Sequence, residues 1–454
     1  MRDATPARDS PPRPTFGRMA AFFVPLAVQS ASQSLSFLLV ASIVSHGALR
    51  EQEFTAYAQG QSVIWILGAI GSGLVTTCMV FGRSRTGMAN FLRLNVRVMA
   101  AALAMELLCC VPPLDGAVFG GLLGLDGEMA WIARRTLLFC VPMQATFFLR
   151  NPYLAQLLVE KRSGAANLAT LARVGLALAL APTMVRLGLT GHAWGAFAIT
   201  LPLVLETWLT RRFALPGMRA LRDGPGAETA SVGEQLRFTV PLSFGGVIIS
   251  ATMLATAYFL GHAPDHVAAL PVHYVVTVLV NPVSFAALRM QSVTIAFPPE
   301  ESGRRAPGAF AVLVGALMCL ILLLPQIPPL ARLYFVRIQN LPPELVGYAR
   351  VALAIATPIP LLQALKGHGE GLAALRRRPN AILADQAAYA AVYVATVSTV
   401  VNGGLLPGPV TGLLGIALAI AVSLAALRVA LVANDYERRF PGGHFGTAAL
   451  RARR

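Results

Sequence analysis

Four basic side chains sit where so apolar a chain can least accommodate them. Arg150 precedes Lys161, and Lys366 precedes Arg376, by about three helical turns each, inside apolar stretches that end at those polar gaps. At ~1.5 Å of rise per helical residue, the two charges stand roughly 16 and 15 Å from the ends, near the middle of a ~30 Å hydrocarbon layer. Arg289 and Arg173 reach a similar depth measured from Pro298 and Arg162. A charge at the centre of a membrane helix costs roughly 2.5–3.5 kcal/mol on insertion scales, so such a residue is either functional or paired. Guanidinium groups grip a carboxylate or phosphate bidentately and an ammonium offers a point charge. Arg150, Arg289 and Lys366 are therefore the expected binding groups for a small anionic molecule. A structural reading stands beside the functional one. Lys366 and Glu370 are four apart on one helix face and can neutralise each other, and Arg173 can pair with Glu106, Glu206 or Asp385 between helices.

His368 lies between Lys366 and Glu370, and histidine is the side chain that titrates nearest neutrality. His368 and Glu370 are the candidates for coupling to an ion, a proton or sodium. The first apolar stretch carries Gln29, Ser30, Ser32, Gln33, Ser34 and Ser36; the second carries Gln59, Gln61 and Ser62, then Gly68, Gly71 and Gly73. Such groups line a hydrated cleft or bond helix to helix. Gln33 and Gln61 join the substrate-binding candidates. Neither a Walker-type loop nor HExxH nor Gly-x-Ser-x-Gly is present, and no paired carboxylates stand at catalytic spacing. The expectation is no enzyme and no cofactor. Five cysteines, odd in number and without metal-ligand spacing, suggest neither a disulfide framework nor a metal site.

The elements that must hold these residues are membrane helices. Hydrophobic residues make up 56% of the chain and charged ones only 13%, against roughly 25% charged in soluble proteins; mean hydropathy is +0.63. The pattern predicts an all-α polytopic protein with about twelve spans, at 18–45, 54–82, 91–112, 131–158, 164–187, 192–214, 236–261, 267–297, 307–328, 347–374, 380–402 and 410–434. Pro25, Pro142, Pro241, Pro282 and Pro358 fall inside spans and predict kinks. The chain divides into an N-terminal tail (1–17), a six-helix lobe (18–214), a linker (215–233), a second six-helix lobe (234–435) and a C-terminal tail (436–454).

The net charge of +16 is almost all arginine and falls in short gaps between spans. That pattern sets topology; it is not a nucleic-acid stripe. Arg83 and Arg85, Lys161 and Arg162, Arg211 and Arg212, Arg304 and Arg305, Arg376 to Arg378, and Arg438 and Arg439 mark one side; the opposite gaps are poorer, the gap after span nine with Arg332 and Arg337 being the exception. The positive-inside rule then puts both termini in the cytoplasm of a plasma (inner) membrane protein. The first apolar segment is longer than a signal-peptide core, lacks a cleavage pattern and is expected to stay as a span.

Val24-Pro25-Leu26 recurs as Val240-Pro241-Leu242, and the separation of Pro25 from Pro241 defines a repeat length. The same offset pairs His46 with His262, Phe81 with Phe297, Ala133-Arg134 with Ala349-Arg350, Pro142 with Pro358, Leu149-Arg150 with Leu365-Lys366, and Lys161-Arg162 with Arg377-Arg378. Six spans per repeat leave the halves parallel, related by a pseudo-two-fold along the membrane normal, with a cleft between them near the midplane.

A six-plus-six duplication opening each half on Val-Pro-Leu resembles the MATE/polysaccharide/oligosaccharide-lipid flippase superfamily. Within it the chain most resembles the progressive ankylosis family, whose vertebrate members export pyrophosphate, citrate or nucleotide-type anions. The residues behind this are Phe22 to Leu26, the Tyr57 helix ending in Met79-Val80-Phe81-Gly82-Arg83-Ser84-Arg85, Arg237 to Leu242, Ala296-Phe297 and Thr357-Pro358-Ile359-Pro360. The resemblance covers about 20–435 and implies a MATE-like, alternating-access exporter of a small anionic organic or phosphate-containing solute, acting as a monomer in the bilayer. It departs from the family at Arg289-Met290-Gln291, where the family pairs an acid with a base and only the base remains. The alternatives are a MATE-type antiporter of drugs or secondary metabolites, although span one lacks the acid many such exporters carry there, and a flippase for a lipid-linked saccharide.

Overall fold

In lipid every backbone polar group must be satisfied within its own segment, which a helix does and an isolated strand does not. The protein, seen in a computed structural model, is accordingly built of helices joined by short turns over the residues described. Described are residues 16–49, 51–224, 229–261, 263, 266–303, 305–339 and 341–439. Among them run twelve long helices: α1 (Phe16–Ser45), α2 (Glu51–Gly68, resumed at Leu74–Phe81), α3 (Arg85–Leu108), α4 (Gly127–Val159), α5 (Ser163–Arg186), α6 (His192–Ala220), α7 (Val232–Gly261), α8 (His266–Leu288 and Met290–Ala296), α9 (Ala306–Leu323), α10 (Val346–Ala356 and Ile359–Leu375), α11 (Pro379–Gly403) and α12 (Gly408–Arg439). Among the described residues eight of these rods are long and apolar enough to cross a membrane.

The repeat is carried into the backbone at the predicted offset. α1, α5 and α6 start one full repeat length before α7, α11 and α12, at Phe16 and Val232, Ser163 and Pro379, and His192 and Gly408. Between α3 and α4 lies a wide helical turn, Gly116–Leu122, matched by Arg332–Ile338 between α9 and α10. Each turn buries one ring, Phe119 or Phe335, whose carbonyl accepts from the amide of Leu125 or Leu341 at 2.9 Å. Prolines act unequally: α4 runs through Pro142 and Pro152 unbroken, whereas α10 breaks at Thr357-Pro358. α6 continues past Pro216 to Ala220, beyond its expected end at 214.

α4 and α10 end alike. The amide of Arg162 donates to the Leu157 carbonyl at 2.8 Å and that of Lys161 to Leu158 at 3.0 Å; Arg378 and Arg377 bond Ala373 and Ala374 at 2.8 and 2.9 Å. Both are Schellman closures, which need a left-handed residue just past the helix and usually place glycine there. Here Lys161 (φ 59°) and Arg377 (φ 54°) fill the position, the non-glycine residues of positive φ among those described. A left-handed non-glycine residue costs on the order of 1 kcal/mol or more. Both following arginines then brace their own lobe, Arg162 donating to the Phe213 carbonyl at 3.1 Å and Arg378 to Leu431 at 3.0 Å.

The apolar core is divided in a way that locates the joint. One buried cluster draws on both lobes, with Met19, Phe22, Leu74 and Phe81 from the first and Phe238, Leu242, Phe297 and Phe310 from the second. Clusters further along the helices belong to one lobe each: Val63, Leu137 and Leu203 in the first, Val272, Leu353 and Leu413 in the second. The lobes are thus sealed together at the end bearing Arg83, Lys161 and Arg377. There Thr77 Oγ1 and Thr239 Oγ1 are 2.8 Å apart, and Arg83 donates to the Ile295 carbonyl at 3.2 Å. A Cβ on Gly73 would stand 2.7 Å from Leu242 Cβ and 3.1 Å from the Thr239 carbonyl. Gly73→Val is therefore expected to pry α2 from α7 and cost about 1–3 kcal/mol of stability, as overpacked cores do. Gly175→Ala, which meets open space, is the control; equal melting temperatures for both variants would contradict the close approach.

Candidate functional site

A cavity of about 400 Å³ opens in the first lobe and is closed on one side by the second. Its walls are Gln29 of α1, Trp65 and Ser72 of α2, Gln144, Phe147, Arg150 and Asn151 of α4, Arg173 of α5, Gly246 and Ser250 of α7, and Arg289 of α8. Two helix breaks shape it. The interruption of α2 between Gly68 and Leu74 brings backbone to the wall, and a Cβ at Gly68 would come within 3.2 Å of Gln144 Nε2. The break in α8 falls at Arg289, whose Nε donates to Ser30 Oγ of α1 at 2.6 Å. A cation of the second lobe is thereby delivered into the first.

Behind the wall stands Glu206 of α6, 1% exposed. Its Oε2 lies 2.9 Å from Nη1 of Arg150 and accepts from Nη1 of Arg173, also at 2.9 Å. Its Oε1 accepts from Thr170 Oγ1 at 2.6 Å, and Gln29 Nε2 donates to that hydroxyl at 2.8 Å. The Arg150 guanidinium also covers the Phe147 ring at 4.5 Å. Arg150 and Arg173 are 4% and 6% exposed, and a buried charge needs a partner to offset its lost hydration. Two guanidinium groups share one carboxylate and a third, that of Arg289, lines the same cavity, an excess of two positive charges among these described residues. Nε of Arg150, Nε and Nη2 of Arg173 and Nε2 of Gln144 have no acceptor among the described residues. Chemically this is a set of unused N–H donors beside uncompensated charge, what an oxyanion requires.

The structure brings Arg150 and Arg289 to one cavity and places Lys366 elsewhere. Lys366 Nζ donates to Asp385 Oδ2 of α11 at 2.6 Å, lies 3.6 Å from Glu370 Oε1 and stands over the Tyr389 ring at 5.8 Å. It is not among the described residues lining the cavity. The repeat equivalence of Arg150 and Lys366 is therefore one of position, since their partners come from helices that do not correspond. His368 Nδ1 is 2.9 Å from Thr294 Oγ1, tying α10 to α8. Gln61 turns to α4, donating to Tyr57 Oη at 3.0 Å and Cys140 Sγ at 3.5 Å. Gln33 is in α1, but its side chain lies outside the described residues. Sequence reasoning left Arg173 open among three carboxylates; packing of α5 on α6 selects Glu206. Gln144 and Asn151 gave no signal of their own, since the sequence does not tell which way each polar side chain of α4 turns. No group of three or more metal-ligating side chains occurs among the described residues.

No family model and no curated protein matches the sequence; the narrower resemblance to the progressive ankylosis family rests on its short motifs alone. Solved structures do match. The eukaryotic MATE transporter AtDTX14 superposes with a TM-score of 0.69 at 15% identity, covering 92% of this chain and 95% of that one. A MOP superfamily transporter from Pyrococcus furiosus, in which reverse polarity of the binding pocket suggests a different function, gives 0.66 at 17% identity over 93% and 95%. A multidrug resistance MATE family transporter in an outward-facing conformation gives 0.64 at 16% identity over 91% and 96%. The chain has the polytopic MATE fold.

Proposed function

We propose that the protein is a membrane exporter working by alternating access, and that its cargo is a small anion, an organic acid or a phosphate-containing solute. The observation that carries this is the excess of two positive charges, with unused donors, around a cavity inside a MATE fold. The apolar share of the wall, from Trp65, Phe147 and Leu154, suits an anion with a hydrocarbon or aromatic part. The fold supports transport, and the pocket described as reversed in polarity in the Pyrococcus furiosus neighbour is a precedent for a change of cargo. In proteoliposomes the protein is expected to move citrate or pyrophosphate and to ignore a cationic dye.

A second reading, a MATE-type antiporter of drugs or metabolites, is favoured by the multidrug transporter among the neighbours; dye movement without anion movement would select it. Ion coupling is assigned to the second lobe. Lys366 there faces both Asp385 and Glu370, so a proton or a monovalent cation completes the balance, with His368 two residues along the helix from both Lys366 and Glu370. Glu370→Gln removes the surplus carboxylate and is expected to leave cargo exchange intact while cutting flux driven by a pH or sodium gradient at least ten-fold. Unchanged gradient-driven flux would remove Glu370 from the coupling role.

A further inference from the structure

We infer that the sealed end is held by two reciprocal cation–aromatic clasps, which form and release together as the gate of that end. The inference rests on the alternating-access reading. In one clasp Phe297, from the second lobe, is held between Phe22 and Lys161 of the first. The rings of Phe22 and Phe297 meet edge to face at 5.6 Å and 81°, and Lys161 Nζ stands 4.6 Å from the Phe297 centroid. In the other, Phe81 of the first lobe is held between Phe238 and Arg377 of the second, at 5.2 Å and 85° for the rings and 5.0 Å for the guanidinium. Phe22 and Phe238, Phe81 and Phe297, and Lys161 and Arg377 are each separated by the one repeat length that separates Pro25 from Pro241.

Three features argue for a gate over passive packing. The first is crossing: each lobe sets one ring between an aromatic ring and a cation of the other, so rocking of the lobes withdraws both rings together. The second is backbone. Lys161 and Arg377 occupy the left-handed position where glycine would be unstrained, so both lobes keep a long cation there despite its conformational cost. The third is the kind of bond. Both rings are buried, at 4% exposure, while both cations are exposed. Each cation keeps water on its outer side while it covers the ring, so the attraction is modest and leaves no buried charge when broken. A buried salt bridge would not open so easily.

The test reads conformation without cargo. Spin labels at Ala89 on α3 and Asn380 on α11, both exposed on opposite lobes, report the distance across the seal in a background lacking the native cysteines. Lys161→Met and Arg377→Met are each expected to shift the sealed-to-open ratio about two- to five-fold toward open, and together by the product. Lys161→Arg should keep the native distribution. In the Phe297→Leu background, Lys161→Met should have little further effect. A double Met variant with the native distribution, or a Lys161→Met effect undiminished by Phe297→Leu, overturns the clasp. Failure of anion flux with the distance shifts intact would instead overturn the transport reading.

Discussion

Glu206→Gln is expected to be the most damaging single substitution in the first lobe. It leaves Arg150 and Arg173 buried without their shared carboxylate, at distances of 2.9 Å now occupied by Oε2. Breaking a buried pair from one side costs about 3–5 kcal/mol because the remaining charge is uncompensated. Here two charges are left, and the Thr170 hydroxyl loses its charged acceptor too. The loss should be partly reversible by ligand. An anion bound at a hundred times its dissociation constant returns about 2.7 kcal/mol, and citrate or phosphate in the cavity would bring negative charge to Arg150 and Arg173 from the cavity side. Thermal melting of the variant with and without citrate checks both parts. A variant that melts like the parent and ignores citrate would show that the two arginines are not held by Glu206.

Arg289→Ala separates binding from architecture. Its guanidinium is the second lobe's charged contribution to the cavity wall, anchored on Ser30 across the interface. Removing it should weaken anion binding by about 2 kcal/mol or more, roughly thirty-fold, the low end for loss of a buried charged contact. Arg289→Lys retains the charge without the fork and should fall between. Lys366→Ala is the informative contrast. It leaves Asp385 and Glu370 unpaired in the second lobe and should destabilise the protein while anion affinity stays near that of the parent. Calorimetric titration with citrate resolves the two; equal affinity losses at Arg289 and Lys366 would contradict the placement of the site in the first lobe.

Much of the fold was legible because hydropathy and an internal repeat act over long windows, where local errors average out. The offset read from Pro25 and Pro241 reappears in helix starts, in the wide turns around Phe119 and Phe335, and in the two Schellman closures. The grouping of Arg150 with Arg289 follows the sequence reading in one respect, since both line one cavity. Azimuth was not legible. Lys366 has the depth of Arg150 but faces α11, and Gln61 has the polarity of a cleft residue but faces α4. Which side of a nearly uniform apolar helix turns inward depends on neighbours far away in the chain. The helix breaks were partly hidden as well: Pro358 signals one, but nothing in Leu288-Arg289-Met290 marks the interruption of α8.

The excess charge of the first-lobe cavity bears on energetics across a polarised membrane. On the alternating-access reading, three guanidinium groups and one carboxylate leave the empty site with two charges that a dianion would cancel. A membrane voltage of about 100 mV acts on each uncompensated charge with about 2.3 kcal/mol over the full field. The loaded carrier, electrically neutral at this site, would reorient almost indifferently to voltage. On that reading the return of the empty carrier, and not of the loaded one, is expected to respond to voltage.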